Sequence, residues 1–253
     1  MILLTTIFHN FGFALKLENN MKIGIFQDIH ANLPAFKRAI DFFRENECSK
    51  IFHVGDLVGV GPYPKEVFQL SLRIEELVFI MGNHDYWFAY GVPESKEKVE
   101  RAHQIWTHQQ IGEEFKAIVQ QWNFVEELTI QGRKIRFQHY GIDEDARWFK
   151  HFLNPVHPSG LDELFEGIDA EIIFYGHNHE ASDVQGKARY VNLGSAGCHD
   201  KPEVRLGILE INEDELVLEK FSLPYNDNGL MEAFDVREVP ARDFIRKTFI
   251  IRK

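Results

Sequence analysis

The sequence has little cysteine, a deficit of positive charge and no long apolar run, and each shortage excludes a class of protein. Only Cys48 and Cys198 occur in 253 residues. Two cysteines cannot form a disulfide framework, and this usage is typical of a reducing cytoplasm. No stretch reaches the roughly 18 consecutive apolar residues of a membrane span. We therefore predict a cytoplasmic protein with no membrane partner.

The charge balance excludes a second class of partner. Lys and Arg number 28 against 39 Asp and Glu, a formal net charge of −11. Binding of long nucleic acid depends on clustered basic side chains, so we predict no such partner. A small phosphorylated substrate is still compatible, because bound metal ions supply positive charge locally. An oligomer is compatible with the sequence but cannot be inferred from it.

The chain divides into three regions. Residues 1–20 begin apolar, but they lack a basic start and are interrupted by His9, Asn10 and Glu18, which disfavours a secretory signal. We interpret them as an N-terminal extension outside the core, with a short strand or helix on the domain edge as the alternative. Residues 21–225 are predicted to form the main domain, with a helical cap insert at about 91–123. Residues 226–253 are predicted to pack on that domain.

Short apolar runs alternate with amphipathic stretches in the first part of the domain. Residues 22–27, 51–54 and 77–81 are typical of buried strands, and 34–46 and 64–73 have helical spacing. This alternation predicts parallel strands with helices over the sheet. Later segments predict a hairpin of strands 124–130 and 134–139 and two helices, at 161–165 and near 240–248. They also predict strands at 171–175, 182–185, 188–192, 204–211 and 215–221.

Polar clusters follow the apolar strands at the points where the strands end. They comprise carboxylates, imidazoles and one amide: Asp28, His30, Asp56, Asn83, His84, His139, His177 and His179. The carboxyl ends of parallel strands share one edge of a sheet, where ligands bind in α/β proteins. This mixture of donors suits divalent metals, and the absence of thiolates favours an open catalytic site. Each cluster alone also fits a helix cap, a turn or a solvated surface pair.

Taken in order, these motifs resemble a known family. Asp28, His30 and Asn32 in the pattern D-x-H-x-N, Gly55-Asp56, the run GNHD at 82–85, His139, and His177 with His179 in G-H-x-H are similar to the calcineurin-like metallophosphoesterase superfamily. The resemblance spans residues 22 to about 211. The run GDLVGVGP at 55–62, with Asn192 and Ser195 downstream, resembles the bacterial and archaeal single-domain phosphodiesterase branch. The family resemblance implies an α/β fold, a four-layer α/β/β/α sandwich of two mixed β-sheets flanked by helices, with a small helical cap.

The resemblance implies a centre of two divalent transition-metal ions. Asp28, His30 and His179 would hold one ion, Asn83, His139 and His177 the other, and Asp56 would bridge them. Manganese is the first expectation, with iron, zinc, nickel and cobalt as alternatives. A bridging carboxylate is physically reasonable, because two dications about 3.5–4 Å apart repel each other.

The resemblance also implies an activity. A hydroxide between the ions would hydrolyse a small phosphodiester or phosphomonoester, nucleotides included, with His84 as general acid and Asp85 orienting its ring. The alternatives are a phosphoprotein phosphatase, a dinucleoside-polyphosphate hydrolase or a non-catalytic scaffold on the same fold.

Four further residues are candidates for contact with substrate or for support of the metal ligands: Asn32, Tyr140, Asn192 and Ser195. Tyr140 and Ala31 stand where the family pattern has glycine, so they add atoms beside the metals and bear on substrate range. Cys198 follows the Gly194-Ser195 turn and is interpreted as a buried thiol.

Overall fold

Two five-stranded mixed sheets form the centre of the molecule. The computed structural model describes residues 21–130, 132–143, 148–212 and 215–250. The strands of these segments are β1 (Met21–Phe26), β2 (Lys50–His53), β3 (Leu77–Phe79), β4 (Val125–Ile130), β5 (Arg133–Gln138), β6 (Ile142–Asp143), β7 (Trp148–Phe149), β8 (Ile172–Phe174), β9 (Ser182–Gln185), β10 (Arg189–Asn192), β11 (Glu203–Ile211) and β12 (Leu216–Pro224). One sheet has the order β12-β11-β1-β2-β3 and the other β4-β5-β8-β10-β9, while β6 and β7 pair separately.

The described residues also form eight α-helices. They are α1 (Leu33–Glu45), α2 (Pro64–Ser71), α3 (Asn83–Tyr90), α4 (Lys98–Ile111), α5 (Lys116–Val119), α6 (Pro158–Leu164), α7 (Leu230–Val236) and α8 (Arg242–Phe249), with a 3₁₀ turn at Glu113–Phe115. Within these same segments, no helix combines the length and the apolar character that crossing a membrane requires.

The first sheet grows from a β-α-β-α-β unit. β1, β2 and β3 are parallel neighbours, with Ile23 opposite Lys50 and Ile51 opposite Leu77. The crossover helix α1 begins at Asn32, whose side chain accepts a hydrogen bond from the Ala35 N–H and caps the helix. Its apolar face is buried on the sheet through Ala35, Phe36, Ala39, Ile40 and Phe43.

Three apolar clusters define the layers. One lies between the sheets, where the Phe52 and Phe137 rings stack at 4.0 Å between centroids. A second packs α1 and α2 on the outer face of the first sheet, including Phe36 and Phe68. A third packs α6 on the outer face of the second sheet through Leu161. The predicted four-layer α/β/β/α architecture is therefore confirmed.

Most predicted elements are present with small changes of boundary. The hairpin of β4 and β5 is antiparallel as expected, and the predicted helix near 240–248 is α8. Two helices were not predicted. α3 begins inside the polar run that follows β3, and α7 lies in a segment without a clear apolar period.

The C-terminal segment packs against loops of the site edge. Phe234, Val239 and Ile245 form an apolar cluster with Val60 and Cys198. Residues 1–20, interpreted above as an extension, lie outside the described residues.

Candidate metal centre

The loops after strands of both sheets converge at one edge of the sandwich. Asp28 and His30 follow β1, Asp56 follows β2, and Asn83 begins α3 after β3. From the second sheet, His139 follows β5, and His177 and His179 follow β8. β1, β2 and β3 are parallel, as are β5 and β8, so each sheet sends its carboxyl ends to this edge. The structure brings the seven predicted ligands together.

The backbone of these loops is strained where the ligands lie. Five of the seven have positive φ, namely Asp28 (51°), His30 (47°), Asp56 (60°), His177 (75°) and His179 (55°). Each left-handed non-glycine residue costs roughly 1 kcal/mol or more. Such strain concentrates at functional sites, because the surrounding fold holds residues in the geometry that function needs.

One group of donors surrounds Asp28. Its Oδ1 lies 3.9 Å from His30 Nε2 and 3.7 Å from His179 Nε2. The two Nε2 atoms are 2.9 Å apart. Two unprotonated ring nitrogens repel at this distance, so a cation between them and the carboxylate relieves the contact.

A second group surrounds Asn83. Its Oδ1 lies 2.8 Å from His177 Nδ1 and 3.2 Å from His139 Nε2. The amide oxygen is a neutral ligand, and the two imidazoles supply nitrogen donors beside it. Like the first group it has three donor side chains, but none of them is a carboxylate.

Asp56 lies between the two groups and touches both. Its Oδ2 is 3.8 Å from His30 Nε2 and 3.3 Å from His139 Nε2. Three sets of side chains within the described segments place one ligand atom each within 4.8 Å of the others: His30, His179 and Cys198; His30, Asp56 and His84; and Asp56, His139 and His177. The donor set fits two divalent ions sharing one carboxylate.

The carboxyl groups of Asp28 and Asp56 differ in charge. Burial, reinforced by the nearby Asp56 carboxylate, raises the pKa of Asp28 to about 8. Burial alone would also raise the pKa of Asp56, but His139 and His84 hold it well below its usual range. Burial works against protonation of His139, yet Asp56 and Asp28 raise its pKa to about 9. The protein therefore supplies protons that a bound cation displaces.

The other site imidazoles are neutral. Burial lowers the pKa of His177 to about 3 and that of His179 to about 4, and holds that of His30 well below its usual range. A neutral imidazole has a free lone pair, which metal coordination requires.

Backbone carbonyls orient the rings of His139 and His30. His139 Nδ1 donates to the Val54 carbonyl at 2.9 Å, and His30 Nδ1 faces the Val58 carbonyl at 3.3 Å. With Nδ1 engaged on the far side, Nε2 of each ring is directed into the site.

The structure corrects the role predicted for Asp85. Its carboxylate does not contact the His84 ring but accepts hydrogen bonds from backbone N–H groups. Oδ2 accepts from Asp56 at 2.8 Å and Gly82 at 3.0 Å, and Oδ1 from Leu57 at 3.0 Å. Burial and the Asp56 charge raise the pKa of Asp85 to about 7 despite these bonds. Asp85 holds the loop that carries Asp56, because the first turn of α3 directs its side chain back toward that loop.

The partner of the His84 ring is Gln104, which sequence reasoning missed. Gln104 Nε2 lies 2.9 Å from His84 Nδ1 and donates to it when the ring is neutral. The ring is half-buried, its centroid is 5.0 Å from that of His30, and its backbone N–H donates to Asp56 Oδ1 at 2.8 Å. Gly59, at φ +84°, makes room for it, since a Cβ there would lie 2.3 Å from His84 Nδ1. Gln104 lies in α4 with no motif around it, so no local signal identifies it.

The four predicted supporting residues are buried, and their polar groups are engaged within the protein. Ser195 Oγ donates to the Asp28 carbonyl at 2.7 Å, and Asn192 Nδ2 donates to the Gly176 carbonyl at 3.2 Å. Tyr140 accepts from the Leu153 N–H, and its ring centroid is 4.8 Å from that of His177. Asn32 caps α1 and donates to the Gly197 carbonyl at 2.8 Å. The contacts of all four lie on or beside the ligand loops, and the Asn32 side chain is engaged by the Gly197 carbonyl and the Ala35 N–H.

Cys198 is buried near the first donor group. Burial raises the pKa of its thiol, and its backbone N–H donates to Ser195 Oγ at 2.8 Å. Asp28 Oδ1 lies within 4 Å of Nε2 of both His30 and His179, and on this geometry Asp28 is assigned to the first group.

Solved structures with this architecture come from archaea and bacteria. A hypothetical protein, PH1004, from Pyrococcus horikoshii OT3 superposes with a TM-score of 0.75 at 17% identity, covering 92% of this chain and 99% of that one. A metallophosphoesterase from Sphaerobacter thermophilus superposes with a TM-score of 0.65 at 19% identity, covering 87% and 95%. At these identities the similarity establishes the fold, an α/β/β/α sandwich shared with a metallophosphoesterase.

The family follows from the sequence match. The model of the calcineurin-like phosphoesterase superfamily domain matches residues 21–214, so the chain belongs to that superfamily. An uncharacterized protein, MJ0912, of Methanocaldococcus jannaschii is 30% identical over 163 residues. The match spans 62% of this chain and 62% of that relative.

Proposed function

We propose that this protein hydrolyses a phosphoester bond of a small phosphodiester or phosphomonoester at a centre of two divalent metal ions. The observation that carries the proposal is the pair of donor groups that share Asp56, whose Oδ2 lies 3.3 Å from His139 Nε2 and 3.8 Å from His30 Nε2. Manganese is the first candidate metal. When bound, such ions activate a water molecule and neutralise charge on phosphoryl oxygens.

The chain's residues divide the remaining work. Asp28, His30 and His179 hold one ion, Asn83, His139 and His177 hold the other, and Asp56 is the ligand in common. The strained loops keep these groups in place before substrate arrives, which reduces reorganisation during the reaction.

His84 is the general acid for the leaving oxygen. To act as an acid the ring must carry a proton on each nitrogen, so that in this state Nδ1–H donates to the amide oxygen of Gln104 and Nε2–H is left for the leaving oxygen. The ring is half-buried, its centroid lies 5.0 Å from that of His30, and the backbone N–H of His84 donates to Asp56 Oδ1. Transfer of the Nε2 proton neutralises the alkoxide as the phosphorus–oxygen bond breaks.

The direct test is an assay of the purified protein on chromogenic phosphate mono- and diesters, with manganese or with EDTA. We expect turnover with metal and none with chelator. Asp56→Asn should lose most bound metal and turnover, whereas Asp41→Asn, on an exposed helix position, should lose neither. A metal-loaded protein that turns over no ester would favour the scaffold alternative.

His84→Ala separates proton donation from metal binding. We expect turnover to fall by about 10²–10⁴-fold, the range of a general acid, while metal content stays unchanged. Loss of metal in this variant would instead make His84 a ligand, as its position within 4.8 Å of His30 and Asp56 donor atoms allows.

A further inference from the structure

A cavity of about 440 Å³ lies between α4 and α8, beside the metal centre. Its walls include Val60, His84, Val99, Gln104, Phe244 and Phe249. The volume is within the range of small-molecule sites. The roles proposed for the metal ligands and their supporting residues do not involve this cavity.

The cavity reaches the centre on two sides. The His84 ring forms part of its wall, and Gln104, which orients that ring, forms another part. On the other side, the Phe249 ring centroid lies 5.8 Å from that of the proposed ligand His179. A molecule in this cavity therefore contacts the group proposed to protonate the leaving oxygen.

The cavity walls are mostly apolar, and the charged side chains among them are acidic. Val99 and Phe244 line the cavity and are 53% and 58% exposed. Glu97 and Glu100 contribute the carboxylates, and Lys96 pairs with Glu100 at 2.9 Å. Among the described residues that line the cavity there is no lysine or arginine. An anionic occupant is disfavoured here, and an uncharged ring is favoured.

We propose that this cavity binds the leaving group of the substrate, and that this group is an uncharged aromatic alcohol. The inference rests on the proposed phosphoesterase function and names the substrate class for it. In the reaction, an oxygen–phosphorus bond forms from water and the phosphorus–oxygen bond to the aromatic alcohol breaks. The bonding electron pair stays on the departing oxygen, which receives the Nε2 proton of the doubly protonated His84 ring; the proton lost by the attacking water passes to solvent, and phosphate or a phosphomonoester is the other product. A polyphosphate leaving group does not fit these walls.

A binding experiment tests the cavity without turnover. The probe is 2-naphthalenemethanol, an uncharged aromatic alcohol, titrated calorimetrically into the full-length metal-loaded protein. We expect Phe244→Ser to weaken binding about tenfold, since it removes an apolar ring from contact with the probe. Val236→Ser is the matched control, because Val236 is 72% exposed on α7 and does not line the cavity. Equal affinity in all three proteins overturns the proposal.

A kinetic comparison tests the leaving group itself. The substrates are 2-naphthylmethyl phosphate and ethyl phosphate, whose alcohols have similar intrinsic reactivity. We expect Phe244→Ser, and independently Val99→Asn, to lower kcat/KM about tenfold for the naphthylmethyl ester and less than twofold for the ethyl ester. Equal losses on both esters, or faster turnover of an ester with a pyrophosphate leaving group, overturn the cavity proposal while leaving the phosphoesterase function intact. Failure to hydrolyse any ester, with metal bound, overturns the function itself.

Discussion

The partners of single side chains decide which atoms of the site are available for chemistry. His139 and His30 direct Nε2 inward because their Nδ1 atoms face the carbonyls of Val54 and Val58. His84 is oriented by a side chain, Gln104, whose Nε2 is 2.9 Å from the ring. A side-chain amide can be removed by mutation, whereas a backbone carbonyl cannot, so the orientation of His84 is open to a direct test.

Gln104→Leu should lower kcat by about three- to tenfold, because the hydrogen bond between Gln104 and His84 Nδ1 orients the ring and is worth roughly 0.5–1.5 kcal/mol. KM and metal content should stay unchanged for a small alkyl ester, since Gln104 touches no ligand. The measurement is steady-state kinetics beside metal analysis. Gln109→Leu, exposed on the same helix, is the control. An unchanged kcat in the Gln104 variant would show that the contact has no role in turnover.

Asp85→Asn should destabilise the fold by about 1–3 kcal/mol, because backbone N–H groups of the Asp56 loop lose carboxylate acceptors. The amide nitrogen of Asn would face backbone N–H groups of Asp56 or Leu57, which need acceptors. Urea unfolding measures the loss. A variant of normal stability with impaired turnover would return Asp85 to the catalytic role that the structure denies it.

At the scale of elements, the two sheets are joined at one open edge by an ion cluster. Asp183 on β9 accepts hydrogen bonds from Arg189 on β10, with its oxygens 2.7 and 2.9 Å from the guanidinium nitrogens. It also pairs with Lys220 on β12 at 2.5 Å, and β12 is the edge strand of the other sheet. Hydrogen bonds from Arg189, with help from Lys220, lower the pKa of Asp183 to about 2, although burial opposes them.

Asp183→Asn should lower the free energy of unfolding by about 1 kcal/mol at pH 7, a modest value because the cluster is partly exposed to solvent. The folded pKa is depressed, so the stabilisation is fully present above about pH 4 and is lost as pH falls through 2. Urea unfolding of both proteins between pH 7 and pH 2 measures this. A difference that stays constant down to pH 2 would contradict an ionic origin.

Element boundaries show where sequence patterns succeed. The β-α-β units and the hairpin were predicted because their apolar periods are set by burial on one face, and burial acts locally along each element. α3 was missed because its first residues belong to the polar run at 82–85, whose composition suggests a loop. α7 was missed because only Leu230, Ala233 and Phe234 of its residues are buried, which is too short a pattern to recognise.

At the scale of the molecule, the centre joins both sheets, so its occupancy should bear on global stability. Its ligands come from loops after β1, β2, β3, β5 and β8. Buried carboxylates and imidazoles within 4 Å of one another are held together by the fold at a cost in strain and charge burial. Bound cations would offset part of that cost.

Adding manganese to chelator-treated protein should raise Tm by about 5–10 °C for each site filled at 100 times its Kd, which corresponds to about 2.7 kcal/mol per site. Calorimetry with and without EDTA measures the shift. Asp56→Asn should lose most of it, because both donor groups lose their common carboxylate. A Tm insensitive to manganese, iron, zinc, nickel and cobalt alike would argue against a metal centre.

The sequence by itself determined the layered α/β architecture and the set of donors at the strand ends, because both follow from patterns along the chain: apolar period, and polar residues where strands stop. The resemblance to a family supplied the division of those donors between two metal ions. Only the tertiary structure decided what Asp85 contacts, which residue orients His84, and that α4 and α8 enclose an apolar cavity beside it. These depend on contacts such as Gln104 with His84, twenty positions apart, and Phe249 with His179, seventy apart. Tertiary packing brings such pairs together, and the local secondary-structure preferences of the sequence do not specify which residues meet.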